Sequence, residues 1–200
     1  MQPSNVQPSN VQPLNVSVLV GSLRQKSVSK KVARALVRLA PAGMSFAFVE
    51  IGDLPLYNED LEVDPPAAFT RFRSALAPAD ALLFVTPEFN RGIPGLLKNA
   101  IDVGSRPWGK SVWSGKPAAV VSQSYGALGG FGAHHQLRQV LMGVNVAAMP
   151  HPEAYLSNAG ALFDDAGELV SASAKEFLSA FISSFKAWVE QQRRSAGAAG

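Results

Sequence analysis

The chain of 200 residues contains no cysteine, and that absence removes disulfide frameworks, zinc ribbons, thiol nucleophiles and cysteine-ligated iron–sulfur clusters together. Any redox chemistry must then come from a borrowed cofactor. No stretch approaches the ~20 consecutive apolar residues of a bilayer span, and the chain does not open with a basic segment followed by an apolar run. The expectation is a cytoplasmic protein with no membrane partner. Excess charge is scarce as well: 18 Lys and Arg against 15 Asp and Glu leave a net charge of +3. That is too little to imply a nucleic-acid partner, but enough to favour small anions in a cleft. The histidines offer no metal set, because His134 and His135 are neighbours that point apart on a helix and His151 stands alone.

The residues that are present supply one core. With 47% hydrophobic residues over this length, a single domain can bury enough apolar surface without staples. Residues 1 to 14 repeat Gln, Pro and Asn every five positions with almost nothing to bury, so they read as a disordered N-terminal tail. Residues 193 to 200 read as a second tail on the same ground, which leaves one folded unit over residues 15 to 192 with no linker inside it.

Within that unit, short β-branched runs alternate with longer segments of helical period. Strands are expected at Val16 to Val20, Ser45 to Ile51, Ala81 to Thr86, Ala118 to Ser122 and Val144 to Ala148. Helices are expected at Val28 to Ala40, Pro66 to Ala77, Pro94 to Val103, Gly132 to Met142 and Ala172 to Glu190. The strands lack in-and-out alternation, as strands covered on both faces do. Such an alternation of elements predicts an α/β three-layer fold, a doubly wound five-stranded parallel sheet in the flavodoxin-like order 2-1-3-4-5. Ligands of such sheets bind beyond the carboxyl ends of the strands, so the turns after strands one, three and four are where function belongs.

The first turn, Gly21 to Ser29, supplies Ser22, Ser27 and Ser29 as hydroxyl donors and Arg24 as a counter-charge at the start of a helix. A phosphate suits that place, because free N–H groups and the helix dipole favour an anion. The simpler reading is that Ser27 or Ser29 caps the helix. In the second turn, Thr86 to Gly95, Pro87 and Pro94 stiffen the chain while Gly92 and Gly95 admit unusual conformations. A rigid turn of this kind can present backbone donors to a flat heterocycle, or simply lead Pro94 into a helix. Lys98 and Asp102 are spaced for a surface or interface ion pair. The third turn, Ser122 to Gly132, has four glycines in its last seven residues and the Ser124 hydroxyl. It suits the face or edge of a planar ligand, or serves as an ordinary connection.

Other patterns lead nowhere. Gly104 to Ser111 spells a P-loop, but it follows a helix, contains Pro107 and opens no helix, which that motif requires. No Gly-x-Ser-x-Gly elbow is present.

Four blocks together resemble the NAD(P)H-dependent FMN reductase family, and within it the bacterial quinone and chromate reductases. They are Gly21-Ser22-Leu23-Arg24 with Ser27, Pro87-Glu88-Phe89-Asn90, Pro94-Gly95 with Leu97 to Asp102, and Ser124-Tyr125-Gly126 with Gly129-Gly130. The resemblance implies a flavodoxin-like domain that holds FMN without a covalent bond. Ser22, Leu23, Arg24, Ser27, Val28 and Ser29 would hold the FMN phosphate. Pro87, Glu88, Phe89, Asn90 and Arg91 would border the isoalloxazine, and Ser124, Tyr125 and Gly126 would meet it from the third turn. The family usually has tyrosine where this chain has Phe89, so the ring is kept and the hydroxyl lost. Arg91 adds positive charge at the rim for a nicotinamide phosphate or an anionic acceptor.

The implied activity passes a hydride from NADPH or NADH to FMN, and electrons on to a small acceptor such as a quinone, or chromate, azo, nitro or ferric compounds. The flavin carries that chemistry, so no catalytic side chain and no metal is required. The chain is too short for a separate nicotinamide domain, which implies that both substrates use one flavin face in turn, by a ping-pong mechanism. Phe89, Ile93, Trp108 and Trp113 offer apolar surface around the cleft, which with the resemblance implies a homodimer or homotetramer; packing of both tryptophans inside the fold is the alternative. The rival functions are a flavodoxin-type electron carrier without its own NAD(P)H oxidation, and a receiver-type signalling domain. The second would need acidic residues where this chain has Gly21-Ser22 and Thr86-Pro87.

Overall fold

The computed structural model describes residues 12–198, so all but the end of the N-terminal repeat lies outside the described residues. Strands β1 (Leu14–Val20), β2 (Met44–Phe48), β3 (Ala81–Pro87) and β4 (Pro117–Gln123) alternate with helices α1 (Val28–Leu39), α2 (Ala67–Leu76), α3 (Gly95–Gly104) and α4 (Phe131–Gly143). Short strands β5 (Ala147–Ala148) and β6 (Ala154–Leu156) precede the closing helix α5 (Ala172–Ala198). The sheet order is β2-β1-β3-β4-β5, every pairing is parallel, and β6 also pairs with β4. This is the flavodoxin-like order expected.

The fifth strand departs from expectation. One strand over Val144 to Ala148 was predicted, but Val144 to Val146 do not pair; β5 joins β4 at Pro117 and Ala118, while β6 joins it at Val121 to Gln123. Pro150 and Pro152 lie between the two pieces, and a residue without an N–H cannot sit in a strand ladder. The edge strand is therefore split, and its second half sits beside the carboxyl end of β4.

Side-chain alternation sorts the core into two layers. Val16, Val18 and Val20 of β1, with Leu83, Val85 and Val121, pack under α1 and α5. Leu19, Leu82, Phe84 and Val120 pack under α2, α3 and α4. Each strand is buried on both faces, which is why its sequence shows no alternation of polarity. Trp113 lies in the second layer, fully buried against Phe72 and Phe84, with its indole N–H donating to the Ile101 carbonyl at 2.9 Å. The surface role expected for it is thus corrected, whereas Trp108 is 85% exposed. A side chain at Gly104 would strike the Trp113 ring at 2.5 Å, so the first glycine of the P-loop spelling makes room for an indole.

Two boundaries also differ. Leu14, expected in the tail, is buried and opens β1, its N–H donating to Gly43. Helix α5 runs through Ala198 rather than stopping near Gln192. The added residues are exposed, and propagation from a packed helix needs only one further bond per residue, so a core is not required to extend it.

On α4, His134 is buried, and among the described residues neither of its ring nitrogens has a hydrogen-bond partner. It packs edge-on against Tyr155. Burial, helped by the charge of Arg138, pushes its pKa down to about 4. Among the described residues no helix is long and apolar enough to cross a membrane.

Candidate functional site

The turns after β1, β3 and β4 converge at the carboxyl end of the sheet and enclose a cleft of about 490 Å3. Its lining includes Ser22, Leu23, Arg24, Ser27, Val28, Pro87, Glu88, Phe89, Ser124 and Tyr125, ten of the residues singled out in the sequence. Such a volume suits a nucleotide-sized ligand. The wall is mostly apolar, with Leu23, Phe89 and Tyr125 each more than half exposed around it.

The first turn presents a helix start. Ser27 is the N-cap of α1, its hydroxyl accepting from the Lys30 N–H at 3.2 Å. Capping and anion binding are compatible here, because a cap satisfies one of several free donors at a helix start and leaves others pointing outward. Ser29 does not line the cleft. It is buried within α1, where its hydroxyl accepts from the Gln123 side-chain amide at 3.0 Å.

Gln123 is the residue that sequence reasoning missed. It ends β4, lines the cleft, is 5% exposed and, among the described residues, leaves its Oε1 without a hydrogen-bond partner. A buried acceptor left unpaired costs about 1–3 kcal/mol, so a donor from a ligand is the natural complement. A glutamine among the apolar residues of a strand was the available signal. Gly21, Pro94, Gly95 and Leu96 complete the lining.

The second turn owes its shape to Asn90 and Arg91, at φ 50 and φ 66, rather than to Gly92. Phe89 and Gly92 exchange backbone hydrogen bonds at 2.9 and 3.0 Å across them, the pattern of a tight hairpin turn with two left-handed residues. The turn lifts Asn90 and Arg91 away from the cleft lining. Arg91 instead reaches back to Glu88 Oε1 at 3.2 Å. The other oxygen, Glu88 Oε2, accepts from the Ala133 N–H at 3.1 Å, in the first turn of α4. The N-cap of that helix is Gly130, which provides no side-chain cap, so the carboxylate that follows β3 supplies both the bond and the charge that a helix start favours. At Gly132 a Cβ would lie 2.8 Å from the Arg91 carbonyl and 2.9 Å from Glu88 Oε2, which is why glycine stands there. The ion pair expected between Lys98 and Asp102 forms on α3 at 2.8 Å.

In the third turn, Ser124 donates to the Gly126 carbonyl at 3.1 Å, and Gly126 itself lies outside the lining. Gly129 and Gly130, at φ 59 and φ 80, do not meet the cleft. A Cβ on either would press on the backbone of Tyr155 or Gln123 at 2.8 to 3.1 Å, so these glycines allow the turn to lie on β4 and β6. Among the described residues no group of three His, Asp or Glu side chains is placed to hold a metal.

A model of the family described as NADPH-dependent FMN reductase matches residues 14–161. A quinone reductase from Pseudomonas putida is 57% identical over 177 residues, 88% of this chain and 95% of its own length. The 2-hydroxy-1,4-benzoquinone reductase of a Burkholderia species is 46% identical over 176 residues, 88% of this chain and 96% of its own. The solved structure of FerB, a flavoenzyme NAD(P)H:(acceptor) oxidoreductase from Paracoccus denitrificans, matches with a TM-score of 0.84 at 39% identity, covering 89% of this chain and 98% of that one.

Proposed function

The chain belongs to the NADPH-dependent FMN reductase family, and from that premise we propose that the cleft between its three turns takes FMN and serves NAD(P)H and a quinone in alternation. It is an enzyme, an NAD(P)H-dependent oxidoreductase of the quinone reductase kind. The observation that carries the site is the buried Gln123 Oε1, unpartnered at the edge of a nucleotide-sized cleft. FMN has hydroxyl donors in its ribityl chain that fit an acceptor in that place.

The FMN phosphate is assigned to Ser22, Arg24 and the N–H groups at the start of α1, with Leu23, Ser27 and Val28 around them. Pro87, Glu88, Phe89, Ser124 and Tyr125 are assigned to the ring, and Gln123 to the chain between. Asn90, Arg91 and Gly126 support the rim, and Ser29 holds Gln123 in place. FMN held there would supply the redox chemistry, two-electron reduction by the nicotinamide and reoxidation by the acceptor. The residues of this chain bind and orient it: apolar Leu23, Phe89 and Tyr125 keep water from the ring, while Pro87 and the tight turn at Asn90 hold Glu88 on α4. No side-chain acid or base is assigned to the transfer.

One cleft for two substrates supports the ping-pong order, and initial-rate plots are expected to give parallel lines; converging lines would show a ternary complex instead. Chromate, azo, nitro and ferric compounds are proposed as further acceptors of an open flavin site. Exposed Phe89, Trp108, Tyr125, Leu128 and Phe131 support a homodimer or homotetramer, which light scattering would test. The deciding experiment is the visible spectrum of anaerobic protein: yellow, bleached by NADPH or NADH, restored by quinone. Colourless protein that stays so in FMN would end this reading, and colour that never bleaches would mark a one-electron carrier.

A further inference from the structure

Leu23 has two sides. One faces the cleft, and the other, with Ser22, borders a second hollow of about 280 Å3 between α1 and the end of the edge strand β2. Lys30 and Arg34 line it from α1, one turn apart and therefore on one face of the helix. Among the described residues neither has a hydrogen-bonded or ion-paired side-chain partner. The acid in the hollow, Glu50, is turned toward its own backbone: its Oε1 accepts from the N–H groups of Ile51 at 3.0 Å and Gly52 at 2.6 Å. Phe48 lines the same hollow and is 49% exposed.

Two free cations beside an open aromatic ring match an anion attached to a planar base. An arginine and a lysine bind phosphate through charge-assisted hydrogen bonds, and an aromatic face takes a base by stacking. Because Ser22 and Leu23 wall both hollows, one dinucleotide can straddle them, its reactive end in the first and its far end in the second. NADPH and NADH differ only by a phosphate on that far ribose. Of the other cations near the cleft, Arg24 is assigned to the FMN phosphate and Arg91 is already paired with Glu88.

We propose that the hollow lined by Lys30, Arg34 and Phe48 receives the adenosine 2′-phosphate of NADPH, with the phosphate between the two cations and the adenine against the ring, so that the chain prefers NADPH to NADH. The proposal rests on the nicotinamide reductase reading above. It assigns the discrimination to α1 and β2, away from the FMN site.

The test uses the FMN-loaded protein and two readouts. By calorimetry, 2′,5′-ADP binds more tightly than 5′-AMP, and Lys30→Ala with Arg34→Ala together abolishes that difference. In steady state the same double variant raises the NADPH KM roughly ten- to hundred-fold, the range of a lost charge-assisted contact, and leaves kcat and the NADH KM in place. Arg34→Glu exceeds Arg34→Ala for NADPH alone, and Phe48→Ala weakens both nucleotides. Equal losses for NADPH and NADH in the double variant, no loss for either, or failure of 2′,5′-ADP to outbind 5′-AMP overturns the proposal. Selective 2′,5′-ADP binding through these residues in a protein that never oxidises NADPH would uphold the site and break the reductase reading.

Discussion

The turn after β1 and the turn after β3 do the same topological work, each leading from the carboxyl end of a central strand into a helix, yet they are held in different ways. The helix start of the first is capped locally, although Ser29 within it also holds Gln123 of β4. Ser27 caps α1 by accepting from the Lys30 N–H three residues on, a bond that follows from local chain chemistry. The second is held by a distant helix. Glu88 caps α4 through Ala133, and Gln136 of α4 returns a bond by accepting from the Ile93 N–H at 2.7 Å. Each side of that exchange satisfies a backbone donor that has no local partner. A locally capped turn keeps its shape when its neighbours change; a reciprocal one joins the rim of the cleft to the packing of α4.

If that contrast is right, perturbing α4 will disturb the cleft, whereas perturbing the first turn will stay local. The largest effect expected is on pH. His134 has its folded pKa lowered to about 4 from an ordinary 6.5, so the unfolded chain takes up a proton that the fold refuses. Stability is therefore fully present above about pH 6.5, declines as pH falls from 6.5 to 4, and levels off below, a loss of about 3 kcal/mol at most. Urea unfolding across that range would measure it, and His134→Phe should flatten the His134 contribution. A slope unchanged in His134→Phe would locate the effect in other groups.

Glu88→Ala comes next, at about 1.5–3 kcal/mol, since it removes a charge-assisted bond and leaves the Ala133 N–H buried and unmet. Its signature is faster hydrogen exchange at the start of α4 together with weaker FMN binding. Ser27→Ala is expected to cost about 1 kcal/mol, with exchange accelerated only in the first turn of α1; a change reaching α4 would erase the contrast. Arg91→Ala is smallest, within about 1 kcal/mol, because its pair with Glu88 is formed by a guanidinium that is 76% exposed. A thermal melt suffices to check it.

The central elements were legible because their cause is local. β1, β3, β4 and α1 to α3 fall within two residues of their expected bounds, since apolar β-branched runs and a helical stripe already fix period and type. The split of the fifth strand was not legible, because it depends on Pro150 and Pro152 lying next to β4. The cleft was legible as three turns and a family pattern, but the sorting of its residues was not. Ser29 and Gln123 changed places, the serine going into the interior and the glutamine into the lining. On a helix, one residue's difference in position turns a side chain by about 100°, since 3.6 residues make a turn, and composition carries no record of which way it faces.

By itself, then, the sequence determined the order of strands and helices, the exclusion of thiol and disulfide chemistry, and the end of the sheet where the turns that line the cleft lie. Each of these follows from hydrophobic period, absent residue types and the handedness of parallel crossovers. Only the tertiary structure decided that Glu88 caps a helix 45 residues away, that Trp113 is core and Trp108 surface, and that Lys30 and Arg34 line one hollow with Phe48. Those outcomes depend on which groups meet across the fold, and in a chain of this length a given side chain's partners are set by packing rather than by its neighbours in sequence.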